Sequence, residues 1–260
     1  LEAYYQLQLR YRAWLVTTAI EETGDYMKFA DKICVVTGGA NGIGRCIAER
    51  FIGEGAYVAI VDTDAVSGKM LTDRHGEKIL FMEGDIAEPD VQTAFVQSVL
   101  HQWSCVDFLV NNACVSLRGI LSGCEYDDFT YVLRLGVTAP YMLTKLFLPS
   151  FGQNAASANI ASSRAFMSQA DTESYSAAKG GISALTHALS VSLSGRVRVN
   201  AISPGWIDTG VLQHDPDYTP QFSPADAKQH PAGRIGLPED IASMALYLCG
   251  EAAGFITGQN

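Results

Sequence analysis

The chain is poor in positive charge: 18 Lys and Arg stand against 28 Asp and Glu, a formal net charge of −10 over 260 residues. That balance excludes nucleic acid and anionic membrane as partners, because both need clustered cations, and no basic patch or basic-aromatic stretch reverses it. No run of eighteen apolar residues is present, which excludes a membrane-spanning helix. The six cysteines, at 34, 46, 105, 114, 124 and 249, contain no C-x-x-C pair, and the five histidines are scattered without ligand spacing. No metal site is therefore expected, and the thiols read as reduced and mostly buried. These absences fit a cytoplasmic protein.

What is present is a 48% apolar chain, enough for one sizeable core. Strand and helix patterns alternate, as a parallel α/β sheet requires. Strands are expected at 33–37, 57–61, 79–83, 107–110, 156–161 and 197–202. Helices are expected at 43–54, 65–74, 89–102, 125–148, 174–193 and 239–249.

The first strand runs directly into Thr37-Gly-Gly-Ala-Asn-Gly-Ile-Gly44, after which a helix begins. A strand, a tight glycine turn and a helix N-terminus place backbone N–H groups where a pyrophosphate can dock. Gly38, Gly42 and Gly44 keep Cβ atoms out of that approach, and Asn41 and Ile43 complete the loop. The next strand ends in Asp62, about twenty residues on, where an acid accepts hydrogen bonds from ribose hydroxyls and repels a 2′-phosphate. Asn41 is neutral and Arg45 lies just inside the helix. The loop therefore points to NAD, with NADP the less favoured cofactor.

Further on, Tyr175 and Lys179 stand four residues apart in a helical segment, with Ser162 thirteen residues before the tyrosine. Residues i and i+4 share a helix face, so phenol and ammonium address one point in space. A nearby cation favours phenolate and lowers the phenol pKa. Ser162 can then hold a substrate oxygen against the phenol. The set reads as a proton-transfer apparatus with Ser162, Tyr175 and Lys179 catalytic.

Thr37-Gly-x-x-x-Gly-Ile-Gly44, Asn111-Asn-Ala113, Ser162, Tyr175-x-x-x-Lys179 and Ser203-Pro-Gly205 together resemble the short-chain dehydrogenases/reductases, from about Lys28 to Asn260. The resemblance implies a single doubly wound Rossmann domain carrying both cofactor and active site. It implies Tyr175 as general acid/base, Ser162 as the residue orienting the substrate oxygen, and Lys179 as a ligand of the nicotinamide ribose. By the same carry-over, Asp85 and Ile86 contact the adenine, Asn112 and Ala113 line the cofactor near its centre, and Pro204, Gly205 and Ile207 border the nicotinamide.

Two positions depart from the family pattern. Cys114 stands where the family has glycine, and a side chain there is expected to crowd the cofactor or shift the backbone if φ is positive. Gly136 stands where the family has an asparagine that holds a proton-relaying water.

Five prolines between Pro204 and Pro231 mark a long irregular stretch. The resemblance makes residues 206–233 a substrate lid, with Trp206, Tyr218, Phe222, Phe166 and Met167 expected as an apolar wall. Residues 1–27 read as an N-terminal extension, helical or non-native, before a domain over 28–260. Phe255 to Asn260 ends where the family begins its last strand, so the sheet is expected to be short by one strand. The family usually assembles as a tetramer, so a homo-oligomer, tetramer or dimer, is expected.

Two functions compete on these residues. One is an NAD(H)-dependent oxidoreductase interconverting a secondary alcohol and a ketone. The alternative is a nicotinamide-binding sensor or scaffold with weak or no turnover, suggested by Gly136 and Cys114.

Overall fold

The structure, a computed structural model, describes residues 27–213 and 217–260. The expected extension lies outside the described residues except for Met27. Apolar runs without polar alternation form β1 (Ile33–Thr37), β2 (Tyr57–Asp62) and β4 (Val106–Asn111); β1 and β4 are buried along their length and β2 at all but its two end residues. Such strands are stable only when helices cover both faces of the sheet. With β3 (Ile79–Glu83), β5 (Phe151–Ile160) and β6 (Val197–Ile202) they build one six-stranded parallel sheet, in the order β3-β2-β1-β4-β5-β6. The crossover helices are α1 (Gly42–Gly53), α2 (Ala65–His75), α3 (Pro89–Trp103), α4 (Tyr126–Leu133), α5 (Ala139–Phe147) and α6 (Glu173–Ser192). A short α7 (Pro224–Lys228) and a longer α8 (Pro238–Cys249) follow β6.

Alternate residues of each strand feed two cores. Cys34 and Val36 of β1 point to the side of α1 and α8, where Phe29, Phe51 and Phe108 pack ring on ring. Ile33 and Val35 point to the side of α3 and α5, against Phe95, Leu143 and Phe147. The chain leaves β1 toward β2 on one side and returns through β4 on the other. This reversal opens a crevice at the carboxyl ends of β1 and β4, where such folds bind ligands.

Three expectations differ in detail. The single helix expected over 125–148 is three pieces: α4, a π-helical turn Arg134–Thr138, and α5. Pro140 lacks the N–H that Gly136 would need four residues on, so a regular ladder cannot continue there. β5 starts five residues earlier than expected, because Phe151 pairs with Val106 ahead of a register irregularity. The short α7 lies within the stretch expected as lid, with its first turn closed by a Ser223–Asp226 capping box. The sheet has six strands, and Gly258 and Gln259 make backbone hydrogen bonds to Val199 and Ala201 along β6.

Among the described residues no helix is long and apolar enough to cross a membrane, no metal-binding cluster occurs, and all six cysteines are free.

A buried carboxylate ties α1 to α2. Glu49, 6% exposed, sits 2.9 Å from Arg74, 3.5 Å from Arg45 and 3.6 Å from His75. Burial alone would raise its carboxyl, but the His75 contact and the charges of Arg45 and Arg74 hold it below the usual range. Its stabilising contribution is therefore complete above the unfolded carboxyl value and lost as pH falls through the lower folded value. Glu49→Gln is expected to cost about 2 kcal/mol at neutral pH, since it removes the charge that the partly exposed Arg74 and Arg45 side chains pair with. Urea melts of both proteins from neutral to acid check this, and the difference should shrink as the pH drops.

Candidate active site

The glycine loop takes its shape from residues on both sides of the crevice. Gly38 (φ +61°) and Gly42 (φ +54°) occupy the left-handed region that only glycine enters without strain. Asn112, just after β4, donates through Nδ2 to the carbonyls of Thr37 (3.0 Å) and Gly38 (2.9 Å). Thr37 Oγ1 accepts from the N–H groups of Asn112 (3.0 Å) and Ala113 (3.1 Å), closing the β1–β4 seam. Helix α1 starts at the loop with no acidic residue in its first turn. Its leading N–H groups have no intrahelical acceptor, and the positive end of its dipole is uncancelled.

Asp62 and Asn41 set the other wall. Asp62 accepts from the N–H of Ala40 at 2.9 Å and from the N–H of Asp64 at 3.0 Å. Asn41 donates to Asp64 at 2.8 Å, while its own Oδ1 is buried without a partner. Arg45, the base closest to the loop in sequence, turns away to the Glu49 cluster.

A cleft of about 460 Å³ runs from this loop to the far end of β5. Gly38, Asn41, Gly42, Ile43, Asp62, Asp85 and Ile86 line one end. Asn112, Ala113, Ser162, Tyr175, Lys179, Pro204, Gly205 and Ile207 line the rest. Gly44 alone of the expected residues does not line it. It lies beneath the loop, and a Cβ there would overlap the Gly38 carbonyl oxygen and come within 2.6 Å of Asn112 Nδ2. The glycine cradle, the uncapped helix and the unpartnered Asn41 oxygen fit a dinucleotide.

At the inner end, Ser162 lies two residues beyond β5 and is 7% exposed. Its Oγ accepts from the Arg164 N–H at 3.1 Å, and the hydroxyl is close enough to the Tyr175 phenol to oppose the upward push of burial on it. Lys179, one turn after Tyr175 on α6, donates to the Ile160 carbonyl at 2.7 Å, and its Nζ lies 5.4 Å from the Tyr175 ring centre. Asn159 anchors this helix to the sheet by donating to Thr186 (2.9 Å) while accepting from Asn111 (2.8 Å).

One electrostatic expectation is corrected here. Burial raises the Tyr175 phenol above its usual value, and this outweighs the lowering influence of Ser162 and Arg164. Lys179, also buried, is itself pushed down, with Cys114 working in the other direction. The phenol is therefore held protonated.

Cys114 does not have the positive φ that the sequence reading allowed for. Its side chain turns toward the π-helical turn, where a Cβ built on Gly136 would lie 3.2 Å from Cys114 Sγ and 3.0 Å from Ala178 Cβ. The two departures from the family pattern are thus neighbours.

The expected apolar wall is only partly assembled. Trp206 and Phe222 meet edge-on at 6.4 Å between centres, but Tyr218 turns to hydrogen-bond Asp208. Phe166 and Met167 remain largely exposed. The base of this segment is pinned by Asp208 N–H to Gly236 (2.9 Å) and Gly236 N–H to Trp206 (3.0 Å).

Sequence reading also missed Tyr131, which lines the cleft and donates to Asp85 at 2.9 Å. Burial first, then the Asp85 carboxylate, pushes the Tyr131 phenol up to about 12. Thr37 was read only as the first residue of the loop motif; that its hydroxyl closes the seam to Asn112 and Ala113 was not.

The sequence and the fold have close counterparts. The family model described as enoyl-(acyl carrier protein) reductase matches residues 38–260. An uncharacterized oxidoreductase of Thermotoga maritima is 41% identical, over 88% of this chain and 93% of its own. Among solved structures, an apo SCOR enzyme from Clostridium thermocellum superposes with a TM-score of 0.78 at 40% identity, covering 88% of this chain and 89% of that one. A 3-ketoacyl-(acyl-carrier-protein) reductase from Brucella melitensis, complexed with NADH, gives a TM-score of 0.80 at 29% identity, covering 89% and 96%.

Proposed function

The chain belongs to the short-chain dehydrogenase/reductase family of oxidoreductases, and on that premise we propose that it interconverts a secondary alcohol and a ketone with NAD(H). The observation that carries this reading is the meeting of Ser162, Tyr175 and Lys179 at the inner end of a cleft whose outer end is a glycine loop. When bound, the nicotinamide supplies the hydride acceptor or donor. Gly38, Asn41, Gly42, Ile43 and the start of α1 hold the pyrophosphate, and Gly44 keeps that loop closed from below. Asp62, Asp85 and Ile86 hold the adenosine end, while Asn112, Ala113, Pro204, Gly205, Ile207 and Lys179 hold the nicotinamide end.

The rest of the chemistry belongs to the chain. Ser162 holds the substrate oxygen by a hydrogen bond. Tyr175 accepts the hydroxyl proton in oxidation and returns it to the carbonyl oxygen in reduction. Lys179 places positive charge behind the phenol, favouring its ionisation when substrate calls for a base.

Asp62 supports NAD over NADP, as do the absence of any Lys or Arg among the lining residues at the adenosine end and the NADH held by the Brucella relative. Asp62→Ala is expected to move the NADH-to-NADPH affinity ratio roughly tenfold toward NADPH, the change that about 1.4 kcal/mol produces. Fluorescence titration with both reduced cofactors measures it. An unchanged ratio removes Asp62 as the selector.

The reaction itself is tested by following reduced nicotinamide across a panel of secondary alcohols and ketones. No turnover on any member, with NADH bound, would favour the sensor reading. Exposed Met244 and Tyr247 on α8 and Phe255 beyond it support a homo-oligomer, which light scattering checks.

A further inference from the structure

The turn after β3 brings Asp85 to the adenosine end of the cleft, and its backbone is held from several sides. The Gly84 N–H donates to the Asp62 carbonyl at 2.9 Å, and the Glu88 N–H to the Asp85 carbonyl at 3.0 Å. Buried Gln92 on α3 donates to the Ile86 carbonyl at 2.9 Å. The carboxylate of Asp85 is tied at both oxygens. Its Oδ1 accepts from the Ala87 N–H at 2.9 Å, within the turn, and its Oδ2 accepts from the Tyr131 hydroxyl at 2.9 Å, from α4. The Tyr131 ring packs against the core on the α3 and α5 side, which fixes where that hydroxyl stands. Its phenol, pushed up to about 12, stays a donor throughout the neutral range. An ionised carboxylate has about four lone-pair sites, so these two bonds leave room for a donor in the cleft that Asp85 and Tyr131 both line.

We propose that Tyr131 is a positioning residue for the cofactor's base: its hydroxyl holds the Asp85 carboxylate in the orientation that accepts a hydrogen bond from the exocyclic amine of adenine. This role rests on the NAD(H) site proposed above and adds to it a selectivity for the base. A carboxylate free to turn about its last torsion has to be ordered when the base arrives, and that ordering weakens binding. Tyr131 supplies the order in advance. Hypoxanthine carries a carbonyl oxygen where adenine carries the amine, so it brings an acceptor to an acceptor and gains nothing from the orientation.

The experiment titrates the full chain with NADH and with reduced nicotinamide hypoxanthine dinucleotide, reading the nicotinamide fluorescence. The native chain should bind NADH about tenfold more tightly than the hypoxanthine analogue, as one hydrogen bond to a charged group allows. Tyr131→Phe keeps the ring and its packing. It should weaken NADH about fivefold and leave the analogue nearly unchanged, so that the preference narrows to about twofold. Asp85→Ala should lose the preference as well, and adding Tyr131→Phe to Asp85→Ala should change neither affinity further. A tyrosine that merely braces α4 against the turn would weaken both dinucleotides alike, in either background. Equal native affinity for the two dinucleotides, equal losses in Tyr131→Phe, no loss for either, or an undiminished effect in the Asp85→Ala chain overturns the positioning role and leaves the cofactor site standing. A native chain that binds neither dinucleotide overturns the NAD(H) site, and this role with it.

Discussion

Tyr175→Phe is expected to reduce hydride transfer by about 10³-fold or more while leaving NADH affinity within a small factor. The size follows from what the phenol does. A positioned acid/base contributes roughly 10²–10⁴-fold, and here no second group can replace it. Ser162 reaches the substrate oxygen but is a poor base. Lys179 is committed to the Ile160 carbonyl at 2.7 Å and lies under the ring, not beside the hydroxyl. The substitution removes one oxygen and keeps the ring that packs over Lys179, so the fold and the cofactor cradle stay intact. Stopped-flow hydride transfer and NADH fluorescence, run on the same preparation, separate the two effects. Activity within tenfold of the native chain would move the base elsewhere, and equal losses of binding and rate would make Tyr175 a cofactor contact only.

The same substitution carries a pH signature. Burial holds the phenol above its ordinary value, so at neutral pH it is an acid. Oxidation needs the ionised form, and its rate should climb as pH rises toward the phenol's value. Reduction needs the protonated form and should fall over the same range. Both dependences should flatten in Tyr175→Phe.

The residues proposed as catalytic stand out in the sequence because each lies where a local rule reaches it. Tyr175 and Lys179 share a face through helical spacing. Gly38 and Gly42 announce a turn whose backbone no other residue adopts cheaply, and Gly44 an approach that a Cβ would block. What the chain did not disclose depends on contacts between distant segments. Cys114 and Gly136 look like two independent defects in sequence, and only the approach of the segment after β4 to the π-helical turn makes them a pair. The raised Tyr175 phenol is of the same kind, because the rule of a nearby cation is local whereas burial is a property of the whole fold. Tyr131 was invisible for a related reason: its partner Asp85 lies in the loop after β3, brought near only by the parallel sheet. The interruption at Arg134–Thr138 had a local trace in Pro140, but the close packing of Ala178 against Gly136 and of Val137 against Gly181 is tertiary.

Gly44→Ala should be the most damaging single-methyl change in the glycine loop. Gly53, at the other end of the same helix, supplies the contrast. A Cβ at Gly53 meets nothing within 4 Å, and its φ is not positive. Alanine there should be neutral or stabilise by up to about 1 kcal/mol, through the lower entropy of the unfolded chain. At Gly44 the new Cβ overlaps the Gly38 carbonyl oxygen, a backbone atom that cannot rotate aside. It also comes within 2.6 Å of Asn112 Nδ2, the group that ties Thr37 and Gly38 to the end of β4. Relief requires the loop to lift from α1, which breaks both Asn112 hydrogen bonds and opens the β1–β4 seam. Overpacking of this kind costs about 3 kcal/mol, and the lost hydrogen bonds add to it. NADH affinity should fall by about 100-fold or more, because the N–H groups at the start of α1 no longer converge. Denaturant melts and NADH titration of Gly44→Ala and Gly53→Ala together test this. Equal stability in the two variants would mean that the loop can relax, and a stable Gly44→Ala that still binds NADH normally would show that the close approach of Gly44 to Gly38 does not hold the cradle.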